Sequence, residues 1–155
     1  MTSPRRNPGR GAHPTATACA LPIVLYAVEA GGRIPVPSRL TYLRSDPYTV
    51  RLQCHVGSAA AVTWIFARDL LAAGLAGRAG VGDVRIRPGR RADRGCTLIT
   101  LHGDDASAVL CASTGTIRVF LQLCESVVPT GAEHDHLDLD ALVRRLTQGR
   151  STSGR

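Results

Sequence analysis

The sequence predicts an α+β domain in which helices cross two antiparallel β-sheets. Short strand-like runs recur in two groups of three, each group closes on a stretch with helical spacing, and the connections between runs are short. The 155 residues, 44% of them apolar, suit one domain with a real core. Aromatics make up only 4%, so aliphatic side chains must fill that core.

Residues 1 to 17 are Pro, Gly, Arg, Thr and Ala without periodicity and predict a disordered basic arm. A first strand fits residues 22 to 30 and stops at Gly31-Gly32. Ile34-Pro35-Val36-Pro37, with Leu40 and Tyr42, carries prolines that argue against a central strand, so an extended connection lying on the domain is expected. Asp46-Pro47-Tyr48 signals a turn. Beyond it Val50, Leu52, Cys54 and Val56 alternate with Arg51, Gln53 and His55, the pattern of a half-buried strand. Gly57-Ser58 then turns the chain into a hairpin partner over residues 62 to 67, which carries Phe66 and the chain's only Trp, Trp64, as a structural anchor.

A short helix follows over residues 69 to 73, with Asp69 suited to capping it and Gly74 to stopping it. Arg68 stands at the positive end of that helix, where a cation is disfavoured unless an ion pair or a partner holds it. A glycine-rich loop runs to Gly82, and strands are expected at 83 to 87, 96 to 102 and 106 to 112. A second helix fits residues 115 to 127, with Ile117, Phe120, Leu121, Cys124, Val127 and Val128 on one face. Val119 and Leu123 widen that face beyond what one sheet covers, so Ile117, Val119, Phe120, Leu123 and Val127 form a candidate self-association surface. Pro129 and Gly131 end the helix. A last helix is expected behind Asp138 to about Thr147, with Leu139, Leu142, Val143 and Leu146 as its stripe. The domain thus covers 18 to 148, and 149 to 155 form a disordered basic tail.

The formal charge is +7, and every basic residue is arginine. Arg5, Arg6 and Arg10 at one end and Arg144, Arg145, Arg150 and Arg155 at the other account for the whole excess. A formally neutral body gives no domain-wide footprint for a polyanion. Arg85, Arg87, Arg90, Arg91 and Arg94 form a local basic group without interleaved aromatics to stack bases, so specific nucleic-acid binding is not expected.

No constellation for catalysis emerges. Gly80-x-Gly82 is followed by Arg85 and a strand, which departs from a dinucleotide fingerprint. His134-Asp135-His136, with Glu133 and Asp138, suits a solvated linker better than a metal cage. Cys54 and His55 would point to opposite faces of a strand, Cys111 lacks a local activator, and Asp104-Asp105 suits a hairpin tip. No catalytic residue, cofactor or metal is assigned. The five cysteines, at 19, 54, 96, 111 and 124, behave as small hydrophobes in a reducing compartment. The apolar run of residues 19 to 28 after a basic segment has the order of a signal peptide, but it is too short to span a bilayer and fits a two-sided strand.

Asp46-Pro47-Tyr48, Trp64-x-Phe66-Ala67-Arg68-Asp69-Leu70-Leu71-x-x-Gly74-Leu75, Gly80-x-Gly82-Asp83-Val84-Arg85 and Pro129-x-Gly131-x-Glu133-His134 occur in this order. Together they resemble the SsgA-like proteins, sporulation and cell-division regulators of Streptomyces and related actinomycetes, over about residues 23 to 140. The resemblance implies a whirly-like fold assembled as a homotrimer, without a transmembrane segment, cytoplasmic and recruited to the division septum. It further implies a non-enzymatic role in positioning FtsZ or cell-wall synthesis, through FtsZ itself, a paralogue or a wall protein. The alternative is a single-stranded nucleic-acid binder of the same fold. Asp46, Pro47, Tyr48, Trp64, Phe66, Arg68, Asp69, Leu70, Gly74, Gly82 and Asp83 would be its structural signature. Arg87, Ser113-Thr114, Gln122 and Thr130 depart from an aromatic, a Pro-Ala pair, a basic residue and a second proline common in the family. Without the proline of the Pro-Ala pair, the start of the second helix is less firmly fixed.

Overall fold

The computed structural model describes residues 16 to 55, 57 to 137, 139, 143 and 144. Four strands come first: β1 (Ala18–Glu29), β2 (Gly32–Leu43), β3 (Asp46–Cys54) and β4 (Val62–Ala67). Helix α1 (Arg68–Ala76) leads to β5 (Val84–Pro88), β6 (Cys96–His102) and β7 (Ser107–Ser113), and α2 (Thr114–Val127) follows. A 3-10 turn spans Arg91–Asp93 and another Glu133–His136.

The strands form one antiparallel sheet in the order β4-β3-β2-β1-β7-β6-β5, rather than the two expected. Each expected sheet is a meander, and the two meanders are joined because β1 pairs β2 along its whole length and offers its other edge to β7. That seam consists of Tyr26 opposite Cys111 and Ala27 opposite Leu110. The sheet is strongly curled: α1 packs on β5 at one end and on β3 and β4 at the other, while α2 crosses β1 and its neighbours.

The segment expected as a connection is β2, an interior strand of the sheet. Its prolines are tolerated because β3 pairs β2 only from Ser38 onward, so Pro35 and Pro37 stand where one side of β2 has no neighbour. The first strand also begins earlier than residue 22, at Ala18. Of the segment expected as a disordered arm, Ala16 and Thr17 are described, and both present carbonyls to Arg44. Residues 1 to 15 and the tail lie outside the described residues, as do Val56, Asp138, Leu142 and Leu146. Leu139, Val143 and Arg144, from the last expected helix, are helical.

The concave face carries the core. Leu25, Leu40, Tyr42, Val50, Leu52, Ile86 and Ile99 from the sheet meet Leu71 from α1 and Ile117, Phe120 and Cys124 from α2. Helix α1 does not stop at Gly74 but runs through it to Ala76, and Gly77 closes it with an N–H bond to the Ala73 carbonyl. Gly74 is instead a contact point, since a Cβ there would lie 2.2 Å from Ile86 Cγ2. Asp69 does not cap: Ala67 holds the N-cap position without a side-chain bond, and Asp69 lies exposed in the first turn, where its charge complements the helix end. Helix α2 keeps a fixed start, because the Ser113 hydroxyl accepts from the Thr116 amide at 3.4 Å and Thr114 bonds Thr97 at 3.0 Å.

Candidate interaction surface

Of the signature residues, Arg68 and Pro47 meet in one buried joint. The i, i+3 spacing of Arg68, Leu71 and Gly74 turns Arg68 toward the core at the first position of α1, leaving it 4% exposed. Its guanidinium donates to the Val128 carbonyl at 2.8 Å, to the Tyr42 hydroxyl at 3.1 Å and to Thr130 at 2.9 Å. It also pairs with the Glu125 carboxylate and lies 3.7 Å from Glu133. Tyr42 in turn donates to the Pro47 carbonyl at 2.9 Å, with the Arg68 guanidinium stacked 5.3 Å from its ring centre. One side chain therefore ties α1, β2, the entry to β3 and the end of α2 together.

The electrostatics follow from that geometry. Burial pulls the Arg68 guanidinium down, but the Tyr42 bond and the Glu125 charge outweigh it and leave it above its ordinary value. The Thr130 hydroxyl and amide, with Arg68, hold the Glu125 carboxyl below the usual range against the opposing effect of burial. Burial also raises the Tyr42 hydroxyl. This arrangement fixes structure, so the ion pair anticipated for Arg68 is intramolecular.

The remaining signature positions divide. Asp46 accepts from Thr49 at 2.7 Å at the start of β3, Pro47 and Phe66 are buried, and Leu70 and Trp64 pack against the core. Trp64 is half-buried and also borders an open apolar groove of about 370 Å³ with Ile34, Cys54, Val62 and Leu101. The carbonyls of Gly82 and Asp83 accept from Arg85 Nε at 3.4 Å and from the His102 amide at 2.8 Å. Tyr48 and Asp69 are exposed.

The groups weighed for chemistry do not converge. Strand β3 ends at Cys54, and His55 adopts a left-handed backbone at φ 55°, so both border the groove instead of taking opposite faces. Burial raises the Cys54 thiol and keeps it protonated. Cys111 is pushed up to about 11 by burial and by its bond with Cys96. Glu133 turns inward to the Gly131 amide at 2.7 Å, whereas His134 and Asp135 face solvent. Among the described residues no three His, Cys, Asp or Glu side chains gather as a metal site would require, and no helix is long and apolar enough to cross a membrane.

The fold also leaves large apolar side chains exposed. Within the stripe on α2, Ile117, Phe120 and Val127 are spent on the protein's own core, while Val119 stays 48% and Leu123 37% exposed. On the convex side of the sheet, Val24, Tyr26 and Val28 stand exposed along β1, opposite Pro37, Pro35 and Arg33. Sequence reasoning missed this second stripe because it treated both sides of the strand as core.

A family model described as the Streptomyces sporulation and cell division protein SsgA matches residues 36 to 133. The chain belongs to the SsgA family. The sporulation-specific cell division protein SsgB of Streptomyces coelicolor is 40% identical over 126 residues, covering 81% of this chain and 91% of that protein. A solved structure from work relating SsgB mutations to longitudinal cell division during sporulation of Streptomyces coelicolor matches with a TM-score of 0.73. It is 38% identical and covers 82% of this chain and 100% of its own. The SsgA-like sporulation-specific cell division protein of Thermobifida fusca matches with a TM-score of 0.74 at 32% identity, covering 86% of this chain and 98% of that one. The matched residues span both helices and the positions of the Arg68 joint.

Proposed function

We propose that this SsgA-family protein is a non-enzymatic adaptor of sporulation-specific cell division that works from the cytoplasm at septum sites. It self-associates, as a homotrimer, and positions the division machinery, through FtsZ, a paralogue or a cell-wall protein. The observation that carries this reading is the apolar surface left open on the protein: Val119 and Leu123 on α2, and Val24, Tyr26 and Val28 on the sheet. The names of the relatives supply the process.

The test is crosslinking and affinity capture from the native cell during septation. A division or wall-synthesis protein should be recovered, retained when residues 1 to 15 are removed, and lost with Tyr26→Asp. Recovery of no such protein, or loss only on removing the basic end, contradicts the adaptor reading.

A further inference from the structure

We propose that the cleft between β5, β6 and the loop at Gly80 is a binding site for a compact phosphate ester. Ala79 pairs with Ile86 through both backbone bonds, at 2.8 and 2.9 Å, so residues 78 to 80 extend the sheet beyond β5 as a short added edge. Gly80 permits this course with a φ of 91° and with Val84 O only 2.4 Å from where a Cβ would be. Because Ala79 faces the core with Ile86, its neighbour Arg78 falls on the other side, beside Arg85 and Arg87. Across β6 the same face presents Thr100, opposite Arg85, and His102.

The result is a cleft of about 460 Å³ lined by three guanidiniums, a hydroxyl and an imidazole, with no carboxylate in its wall. Among the described residues none of the three arginines has an ion-pair partner. Among the described residues their side chains make only long bonds, 3.4 Å from Arg85 Nε to the Gly82 carbonyl and 3.4 Å from Arg87 to the Pro88 carbonyl. His102 Nε2 is buried and has no hydrogen-bond partner among the described residues. Three like charges around one cleft repel unless an anion lies between them, and guanidinium forks match phosphate oxygens in pairs. A phosphate monoester, with a charge of roughly −1.5 to −2 and three acceptor oxygens, fits this set better than a single carboxylate. The cleft has the size of ordinary small-molecule sites, so a phosphate bearing an organic group fits within it.

The experiment is a two-dimensional NMR titration of the intact protein with inorganic phosphate, then pyrophosphate, at constant ionic strength. Saturable shifts confined to Arg78, Gly80, Arg85, Thr100 and His102 are expected. Arg85→Gln and Arg87→Gln should each weaken binding on the order of tenfold or more, with Arg118→Gln on α2 as the unaffected control. Both substituted side chains make only weak bonds, and thermal melting checks that the variants remain folded. Shifts spread over all exposed arginines, or equal shifts with chloride, overturn the proposal. So does saturation by a single-stranded oligonucleotide with a steep salt dependence where phosphate fails, since the arginines would then belong to a polyanion track.

Discussion

Replacing Arg68 with methionine should destabilise the protein by about 3 to 5 kcal/mol, because one partner of a buried charge network is removed while the others stay. The Val128 carbonyl and the Tyr42 hydroxyl lose a charged donor in a buried setting, at about 1 to 3 kcal/mol each. The Glu125 contact adds no more than about 1 kcal/mol, since its side chain is 49% exposed and screened by water. Native domains have about 5 to 15 kcal/mol in total, so the loss is a large fraction. At roughly 4 °C per kcal/mol the melting temperature should fall by about 12 to 20 °C. Urea unfolding followed by circular dichroism and by Trp64 fluorescence measures it, with both probes giving one transition. Arg68→Lys should recover part of the loss, because an ammonium keeps the charge but cannot span the same set of acceptors. A methionine variant within about 1 kcal/mol of the parent would refute the joint as a stabilising element.

Three further outcomes follow from the same frame. Glu125 has a lowered pKa, so its carboxylate contributes stability that is present above the ordinary value of 4.5 and lost as pH falls through the folded value. The parent should therefore exceed Glu125→Gln by up to about 1 kcal/mol at pH 7; a difference still undiminished at pH 3 would count against it. Gly74→Ala gains about 1 kcal/mol in helix propensity but forces a Cβ to 2.2 Å from Ile86 Cγ2. Overpacking costs about 1 to 3 kcal/mol or more, so chemical denaturation should show net destabilisation, and a stabilised variant would mean that α1 and β5 separate freely. On α2, Val119→Asp should lower the mass seen by light scattering while leaving circular dichroism intact, whereas Phe120→Asp, at a position 0% exposed, should unfold the chain. A mass that stays monomeric in the parent at every concentration would remove self-association.

Much of the fold was legible because its signals are local. The alternation of Val50, Leu52 and Cys54 gave the body of β3, although Asp46-Pro47-Tyr48, expected as a turn, begin that strand and the turn falls at Arg44-Ser45; the stripe on α2 ended where Pro129 said it should. What was hidden depends on residues far apart. Pro35 and Pro37 disguised β2, since only the register shows that β3 stops short of them. One sheet became distinguishable from two only through the short pairing of β1 with β7. Gly74 looked like a stop because its real constraint, Ile86, lies in another strand. Arg68 was recognisable as misplaced at a helix start, yet its hydrogen-bond partners lie 26 to 62 residues away. Alternation likewise put Arg85 and Arg87 on one face, but Arg78 joins them through a backbone bridge that no spacing rule predicts.

The central claim is that this SsgA-family chain acts at septum sites during sporulation. A fluorescent fusion, expressed at native level and imaged through sporulation beside a marker of the division ring, tests it most directly. Regularly spaced foci that coincide with the ring before septa close are the predicted result. Diffuse fluorescence at every developmental stage, from a fusion shown to be intact and folded, would contradict it.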